Sequence, residues 1–334
     1  MQPNLIFGGV EKLVVNVIIP TYKARETLPK ALDSLVAQTK KLFIVTVVQD
    51  CDGEDYTDII EEYRRRGLNI RLISLPENRG PGGARQAGMD ADKLCDYFMF
   101  LDADDMYTPR AIEMLSREAM GNNADIVASD FIAERKATPG ILMDVMKVPV
   151  TWCHGRIYKK KFLQDNNIRF LDGLRVNEDA YFNLIAHNVA ERKFKIKEVT
   201  YIWRDNKNSL TRAGDREDFF KRTWETYITS QVEALLKIIE LKGKIEPGLL
   251  GATLLYVYGY WMTAKHYKVV SEDIIKEIHK LKNNPTIITT LKEEAFWDYI
   301  VENLKGATKL EDNILFYQDR FCDWLKEYIA DSLY

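Results

Sequence analysis

The sequence has little cysteine, no strong excess of either charge and no long apolar run. Its four cysteines, Cys51, Cys95, Cys153 and Cys322, are far apart and form no CxxC pair, which disfavours a zinc ribbon and a disulfide-stapled secreted fold. Lys and Arg number 47 against 50 Asp and Glu, a net charge of -3, so no global field attracts nucleic acid or an anionic membrane. The longest uncharged run, 247–264, has 18 residues, fewer than the roughly 20 of a membrane-spanning helix. We expect a cytoplasmic protein without stable membrane insertion.

Short β-branched runs alternate with amphipathic stretches through the first 213 residues, the pattern typical of parallel strands joined by crossover helices. Farther along, strand signals nearly vanish and helical spacing runs to the end. We therefore predict an α/β domain over 1–213 and a helical domain over 214–334. The pattern weakens between 130 and 150, where an irregular connection beside a cleft is expected. The predicted strands are 14–19, 43–49, 70–75, 97–101, 124–129 and 195–202.

Three carboxylates, Asp102, Asp104 and Asp105, directly follow the fourth predicted strand. Like charges at such a point repel one another and cost stability, and a divalent cation removes that repulsion. Carboxylate oxygens suit Mg²⁺ or Mn²⁺, which commonly bind carboxylates together with substrate phosphates. The alternative is an acidic loop that leads into a helix starting at Thr108-Pro109.

A glycine-rich turn over 80–88 opens the helix after the third strand. Its glycines would let a ligand approach the backbone closely, and Arg85 is available for a phosphate or a base. The turn is not the dinucleotide fingerprint, which requires glycine at position 85. No GxxxxGK[ST] sequence occurs in the chain, so P-loop chemistry is not supported.

Two further acidic pairs lie at element ends. Asp50 and Asp52 follow the second strand, where a carboxylate can accept from a nucleobase or a ribose hydroxyl; an ordinary turn is the alternative. Glu178 and Asp179 begin a helix, as acidic residues often do because of the helix dipole. In combination with the other motifs, this pair supplies a candidate general base.

Taken together and in order, these segments resemble the family 2 glycosyltransferases of the GT-A fold, which carry a DXD motif and are inverting and metal-dependent. The resemblance covers roughly residues 14–213. Two positions depart from the family pattern, with Gln49 in place of an aspartate and Gln86 in place of an asparagine. The resemblance implies a Rossmann-like mixed sheet flanked by helices. The all-α domain that follows would serve acceptor binding or homo-oligomerisation. The matching segments are 17–22, 48–52, 78–88, 102–104, 178–179 and 204–212.

The resemblance also implies a role for each matching residue. Asp179 would be the catalytic base, with Glu178 beside it orienting the acceptor or a loop. Asp104 would be the main metal ligand; His154 is a further candidate ligand, although a polar pocket histidine is the favoured interpretation. The implied donor-binding residues are Pro20, Thr21, Tyr22, Asp50, Asp52, Gly80, Ala84, Arg85, Asp102, Ala103, Arg204, Ser209 and Arg212.

The implied reaction moves glucose or another hexose from a UDP-sugar to a hydroxyl acceptor with Mn²⁺ or Mg²⁺ as cofactor. A sugar hydroxyl is too weak an acid to attack at neutral pH, so a carboxylate would take its proton, which contributes roughly 10²–10⁴ in rate. The acceptor stays open among a glycan, a teichoic-acid-like polymer, a protein and a modified DNA base. Two alternatives remain, a non-catalytic nucleotide-sugar-binding scaffold and a nucleotidyltransferase of related fold, although residues 21–27 contain no glycine for the latter.

Overall fold

The computed structural model describes residues 13–137, 141–206, 216–306 and 318–331. Contacts within the chain divide it into two units, Met1–Ser209 and Leu210–Tyr334. The predicted boundary at 213/214 lies in a stretch outside the described residues. No helix in the described ranges combines the length and the apolarity that crossing a bilayer requires.

The described part of the first unit contains one mixed sheet of nine strands. These are β1 (Val15–Thr21), β2 (Ile44–Gln49), β3 (Ile70–Ser74), β4 (Tyr97–Phe100), β5 (Met106–Tyr107), β6 (Ile126–Lys136), β7 (Ile141–Met146), β8 (Arg156–Lys159) and β9 (Lys193–Trp203). Their order is β3-β2-β1-β4-β8-β6-β9-β5, and β7 pairs with β6. Strands β1 to β4 are parallel neighbours, whereas β8 runs antiparallel to both β4 and β6. Each predicted strand is therefore present, most of them within one or two residues of the predicted bounds.

Helices cover both faces of this sheet. They are α1 (Leu28–Val36), α2 (Thr57–Arg65), α3 (Gly80–Asp90), α4 (Ala111–Gly121), α5 (Lys160–Asp165) and α6 (Glu178–Val189). On one face of β1, Val17 and Ile19 share a buried apolar cluster with Leu32 of α1. On the other face, Ile18 meets α3 at Gly88. Because β1 is buried on both faces, its residues form a continuous apolar run rather than an alternating one.

The prediction of an irregular connection over 130–150 was wrong. Strand β6 continues to Lys136 and forms an antiparallel ladder with β7, in which Phe131 lies opposite Met146. The side chains of β7 are exposed on both faces, so its sequence lacks the alternation of apolar and polar residues that identifies a strand.

Helix α4 begins at Ala111 rather than at Thr108-Pro109. The Thr108 hydroxyl donates to the carbonyl of Val199 in β9, so it holds a neighbouring strand instead of capping the helix. The N-cap is Arg110, so the start predicted from sequence was early by about half a helical turn.

All described residues of the second unit that have regular structure are helical, as predicted. The helices are α7 (Arg216–Lys242), α8 (Pro247–Tyr267), α9 (Glu272–His279), α10 (Pro285–Leu291), α11 (Glu294–Gly306) and α12 (Gln318–Tyr328). Tyr258, Trp261 and Trp324 are buried, so they form part of the core of this unit.

Candidate active site

The acidic segment after β4 is held against the end of β9 by a short strand pairing. Strand β5 pairs antiparallel with β9, and Met106 lies opposite Ile202. The backbone N–H of Arg204 donates to Asp105 Oδ1 at 2.9 Å. The two sequence-predicted segments 102–105 and 204–206 therefore lie together at the carboxyl edge of the sheet, where ligands of open α/β folds bind.

Arg85 joins the acidic segment to the start of α6. Its guanidinium donates to Asp102 Oδ1 and to Glu178 Oε1, each at 2.6 Å. The Arg85 side chain is only 6% exposed and that of Glu178 only 9%, whereas Asp102 is 32% exposed. A buried cation with two carboxylate partners fixes both of them, so Arg85 connects Asp102 with Glu178, the residue beside the predicted base.

Asp102, Asp105 and His154 form a group whose candidate ligand atoms lie within 4.8 Å of one another. His154 Nε2 is 3.8 Å from Asp102 Oδ2, and its ring stacks on Tyr201 at 4.4 Å. The Tyr201 hydroxyl donates to Asp105 Oδ2 at 2.7 Å and accepts from the N–H of Asp102. Tyr201 therefore holds the two aspartates and the imidazole in one arrangement.

Burial makes this group electrostatically suited to a cation. Burial raises the pKa of Asp104, and the neighbouring Asp102 raises it further. Burial also raises the pKa of Asp105, with contributions from both neighbouring aspartates. At Asp102 burial has the same sign, but Arg85 and His154 outweigh it and lower the pKa. The Nε2 atom of His154 is the ring nitrogen beside Asp102. Two carboxylates and an imidazole are a donor set that fits a divalent metal ion.

Asp104 lies beside this group and is held by another residue. Its Oδ2 accepts from Asn206 Nδ2 at 2.8 Å. The Arg204 side chain lies 3.7 Å from Glu134 Oε2. The structure thus places Arg204 at the acidic segment, whereas Ser209 and Arg212 lie outside the described residues.

Asp179 occupies the first turn of α6, next to the buried Glu178. Burial and the Glu178 carboxylate raise the pKa of Asp179 to about 8, although Arg85 opposes this shift. Its Oδ1 accepts from the N–H of Ala180 at 2.8 Å. A half-buried carboxylate with a pKa near neutrality has the properties of a general base.

Asp50 and Asp52 are both engaged in hydrogen bonds that hold loops. Asp50 is buried and accepts from the N–H of Arg79 at 2.7 Å, which ties β2 to the start of α3. Asp52 accepts from Gln49 Nε2, the Tyr56 hydroxyl and the N–H groups of Lys23 and Glu54. Gln49, which departs from the family pattern, therefore helps to hold Asp52 in place.

The remaining predicted donor residues lie around these loops. Thr21 is buried and its hydroxyl donates to the carbonyl of Val48, whereas Tyr22 is 52% exposed. Gly80 has φ +73°, a conformation that favours glycine. Ala84 and Ala103 are buried, and Pro20 is half-buried. The ring of Tyr22 is thus the one large apolar surface among these residues that faces solvent.

The expectation that the glycine-rich turn brings a ligand close to its backbone was wrong for three of its glycines. A Cβ at Gly82 would lie 2.9 Å from Glu178 Cγ, and one at Gly88 would lie 2.6 Å from Ile18 Cγ2. At Gly83 a Cβ would meet the side chain of Arg79. These glycines allow α3 to approach other protein segments, and this places Arg85 between Asp102 and Glu178.

Sequence reasoning missed the aromatic wall around His154. Trp152 lies 5.1 Å from its ring, and Phe131 and Trp203 lie within about 6 Å. It also missed the roles of Tyr201 and Asn206. Asn206 belongs to the matching segment 204–212, whereas Tyr201 gives no sequence signal because it lies in an ordinary strand.

The family model described as Glycosyl transferase family 2 matches residues 16–174 of the chain. The matched range contains β1 to β8 and the acidic segment. Residues 16–174 form a family 2 glycosyltransferase domain, and the protein is a glycosyltransferase.

Curated relatives carry the same activity in their names. This glycosyltransferase is 29% identical over 241 residues to EpsJ of Bacillus subtilis (strain 168), an uncharacterized glycosyltransferase, in a match that covers 66% of this chain and 68% of EpsJ. It is 26% identical over 224 residues to TarS of Staphylococcus aureus (strain Mu50), a poly(ribitol-phosphate) β-N-acetylglucosaminyltransferase. That match covers 62% of this chain but only 38% of TarS.

Solved structures share the fold. S. aureus TarS 1–349 in complex with UDP-GlcNAc matches with a TM-score of 0.66 and 21% identity, covering 88% of this chain and 85% of that one. The Pyrobaculum calidifontis mannosyltransferase PcManGT in complex with GDP-Man and Mn²⁺ has a TM-score of 0.51 and 15% identity, covering 88% and 87%. The predicted GT-A fold with an all-α C-terminal region is therefore confirmed, and glycosyl transfer is favoured over the nucleotidyltransferase and scaffold alternatives.

Proposed function

We propose that this glycosyltransferase moves a sugar from a UDP-sugar to a hydroxyl acceptor with inversion of configuration. The observation that carries the proposal is the buried bridge from Asp102 through Arg85 to Glu178, the residue directly before Asp179. One base opposite a phosphate-binding centre suffices for a single displacement.

Asp179 is proposed as the base that takes the proton of the attacking hydroxyl. Its raised pKa of about 8 makes it a better proton acceptor than an ordinary aspartate while leaving part of it ionised near neutrality. Glu178 stays bound to Arg85 and is unavailable for that proton, so we assign it a positioning role.

The residues proposed to hold a divalent cation are Asp102, Asp105 and His154, with Asp104 beside them. Such an ion, Mn²⁺ or Mg²⁺, stabilises the charge of a departing nucleoside diphosphate. The sequence resemblance favours Asp104 as the main ligand, whereas the geometry favours its neighbours. Substituting each carboxylate separately and measuring metal affinity distinguishes the two assignments.

TarS supports the choice of donor, because its structure was solved with UDP-GlcNAc. The poly(ribitol-phosphate) β-glucosyltransferase of Bacillus spizizenii, 25% identical over 193 residues, supports glucose as an alternative. Both relatives act on poly(ribitol-phosphate) by name, so a polyol-phosphate polymer is the proposed acceptor class. The catalytic domain is assigned to 1–213 and acceptor binding to the helical domain, 214–334.

The test measures nucleotide release from UDP-glucose, UDP-GlcNAc and GDP-mannose with and without a polyol-phosphate polymer. We expect turnover with a UDP-sugar that EDTA abolishes and Mn²⁺ or Mg²⁺ restores. Asp179→Asn should bind UDP-sugar almost normally but lose transfer by on the order of 10² or more. Asp165→Asn is the matched control, since Asp165 is an exposed carboxylate paired with Lys161.

Two results would contradict the proposal. Undiminished turnover in EDTA-treated, metal-free protein would remove the cation from the reaction. Loss of donor binding in Asp179→Asn, without a matching loss in Asp165→Asn, would show that Asp179 binds the donor and is not the base that takes the proton of the acceptor hydroxyl.

A further inference from the structure

Exposed apolar side chains are concentrated in β7 and the segment after it. Ten large apolar side chains are exposed in the described part of the chain, and six of them lie between residues 141 and 150. They are Ile141, Leu142, Met143, Val145, Met146 and Val150, and their exposed fractions run from 39% to 68%. Soluble proteins rarely expose a contiguous apolar patch of this kind unless it binds something.

These side chains occupy both faces of a two-stranded ribbon. Val145 lies opposite Ile132 and Met143 opposite Glu134, on one face. Leu142 lies opposite Arg135 on the other face. In the described residues β7 pairs only with β6, so its outer edge is open as well.

A second copy of the chain is a poor occupant for this surface. A flat protein partner covers one face of the ribbon and leaves the other in water. A lipid interface covers both faces at once.

The charges around the ribbon fit an anionic lipid surface. Asp144, the one acidic residue of β7, forms an ion pair with Arg135. Lys147, which follows β7, is exposed. With Asp144 and Glu134 both in ion pairs, Lys147 is an exposed cation beside the apolar side chains and can contact anionic headgroups.

The ribbon is continuous with the candidate active site. Arg156 donates to the carbonyls of Pro149 and Trp152, both at 2.7 Å, so it fastens the segment after β7. Phe131 of β6 packs against Trp152 and His154. A surface that binds the ribbon is thereby held close to the acceptor side of the site.

We propose that the β6–β7 ribbon docks this glycosyltransferase on an anionic lipid surface. The apolar side chains of β7 enter the headgroup region, while Lys147 contacts the anionic headgroups. Docking of this kind needs no membrane-spanning helix, and it would present the active site to an acceptor carried on the lipid surface.

The test uses the full chain and vesicles of phosphatidylcholine with and without 30% phosphatidylglycerol. We expect cosedimentation with the anionic vesicles that weakens as salt is raised. Leu142→Glu/Val145→Glu should bind at least tenfold more weakly, because it places two charges in the apolar patch. Leu94→Glu is the matched control, since Leu94 is 74% exposed but lies outside the ribbon, and it should bind like the parent.

Three outcomes would overturn the proposal. The first is that the parent chain binds neither vesicle, and the second is that the ribbon variant and the Leu94→Glu control lose vesicle binding equally. The third outcome is self-association of the parent chain that the ribbon variant abolishes while vesicle binding stays unchanged. The last outcome would assign the ribbon to a second copy. Thermal unfolding of both variants verifies that they fold. Because vesicle binding is measured without sugar transfer, its failure is distinguishable from failure of the proposed reaction.

Discussion

Replacing Arg85 by methionine tests whether the buried bridge organises the active site. The substitution keeps an unbranched apolar stem of similar reach but removes the charge from between Asp102 and Glu178. Glu178 is 9% exposed and bonded to Arg85 at 2.6 Å, so it would be left as an unpaired buried carboxylate. Breaking a buried ion pair from one side typically costs about 3–5 kcal/mol. The loss of the Asp102 pair adds less to this cost, because the Asp102 side chain is about a third exposed and water can solvate its charge.

A second substitution separates the unpaired charge from the lost packing. In Arg85→Met/Glu178→Gln no buried carboxylate remains at position 178, so the double variant should be more stable than Arg85→Met alone. Residues in direct contact commonly couple by 0.5–3 kcal/mol, and we expect a coupling energy in the upper part of that range. Arg169→Met is the control, since Arg169 pairs with Asp90 at the surface and such pairs contribute about 0–1 kcal/mol.

The assay should report on the first unit separately, because a chain of two units need not unfold in one step. Hydrogen exchange of peptides from α3 and α6, followed in parallel with urea unfolding, gives this local reading. We expect faster exchange in both helices of Arg85→Met and partial recovery in the double variant. If Arg85→Met were no less stable than Arg169→Met, the bridge would not stabilise the site and the reasoning would be refuted.

Two further predictions follow from the same contacts. The pKa of Asp179 is about 8 in the folded chain against 3.8 ordinarily. Between these two pH values the carboxyl group ionises on unfolding, so the folded state loses stability as the pH rises from 3.8 to about 8. Asp179→Asn should therefore raise Tm, and by more at pH 8 than at pH 5; a pH-independent difference in thermal scans would contradict this. Gly88→Ala would bring a Cβ to 2.6 Å from Ile18 Cγ2 and should lower the free energy of unfolding by about 1–3 kcal/mol. Gly121→Ala, where a Cβ meets nothing within 4 Å, should leave it unchanged or higher in the same urea titration, and equal losses would argue against the packing explanation.

The strands that could be predicted from sequence are those whose burial is visible locally. Both faces of β1 and β2 are covered, so apolar β-branched runs bounded by Pro20 and by the acidic turns were sufficient to find them. The motif residues at strand ends could also be found, because the carboxyl ends of parallel strands meet at one edge. Strand β7 and the part of β6 that pairs with it escaped prediction for the opposite reason, since the apolar side chains of β7 face solvent on both sides.

The arrangement of the site depends on pairings between distant segments, which leave no local signal. Strand β5 has two residues, yet its pairing with β9 puts Asp105 against Tyr201 and the N–H of Arg204. A two-residue strand is too short to have a recognisable period. The sequence therefore pointed to Asp104 as the main metal ligand, with His154 as a further candidate, while the fold gathers Asp102, Asp105 and His154.

The glycine-rich turn shows how a correct motif can have a different physical cause from the one first assigned. Glycines before a helix suggested a phosphate approaching the backbone, but Gly82 and Gly88 lie against Glu178 and Ile18. Their missing side chains let α3 pack closely between β1 and α6. Only at that separation can the guanidinium of Arg85 reach Asp102 and Glu178 at 2.6 Å. The glycines thus support the chemistry indirectly, by setting the position of the arginine that binds both Asp102 and Glu178.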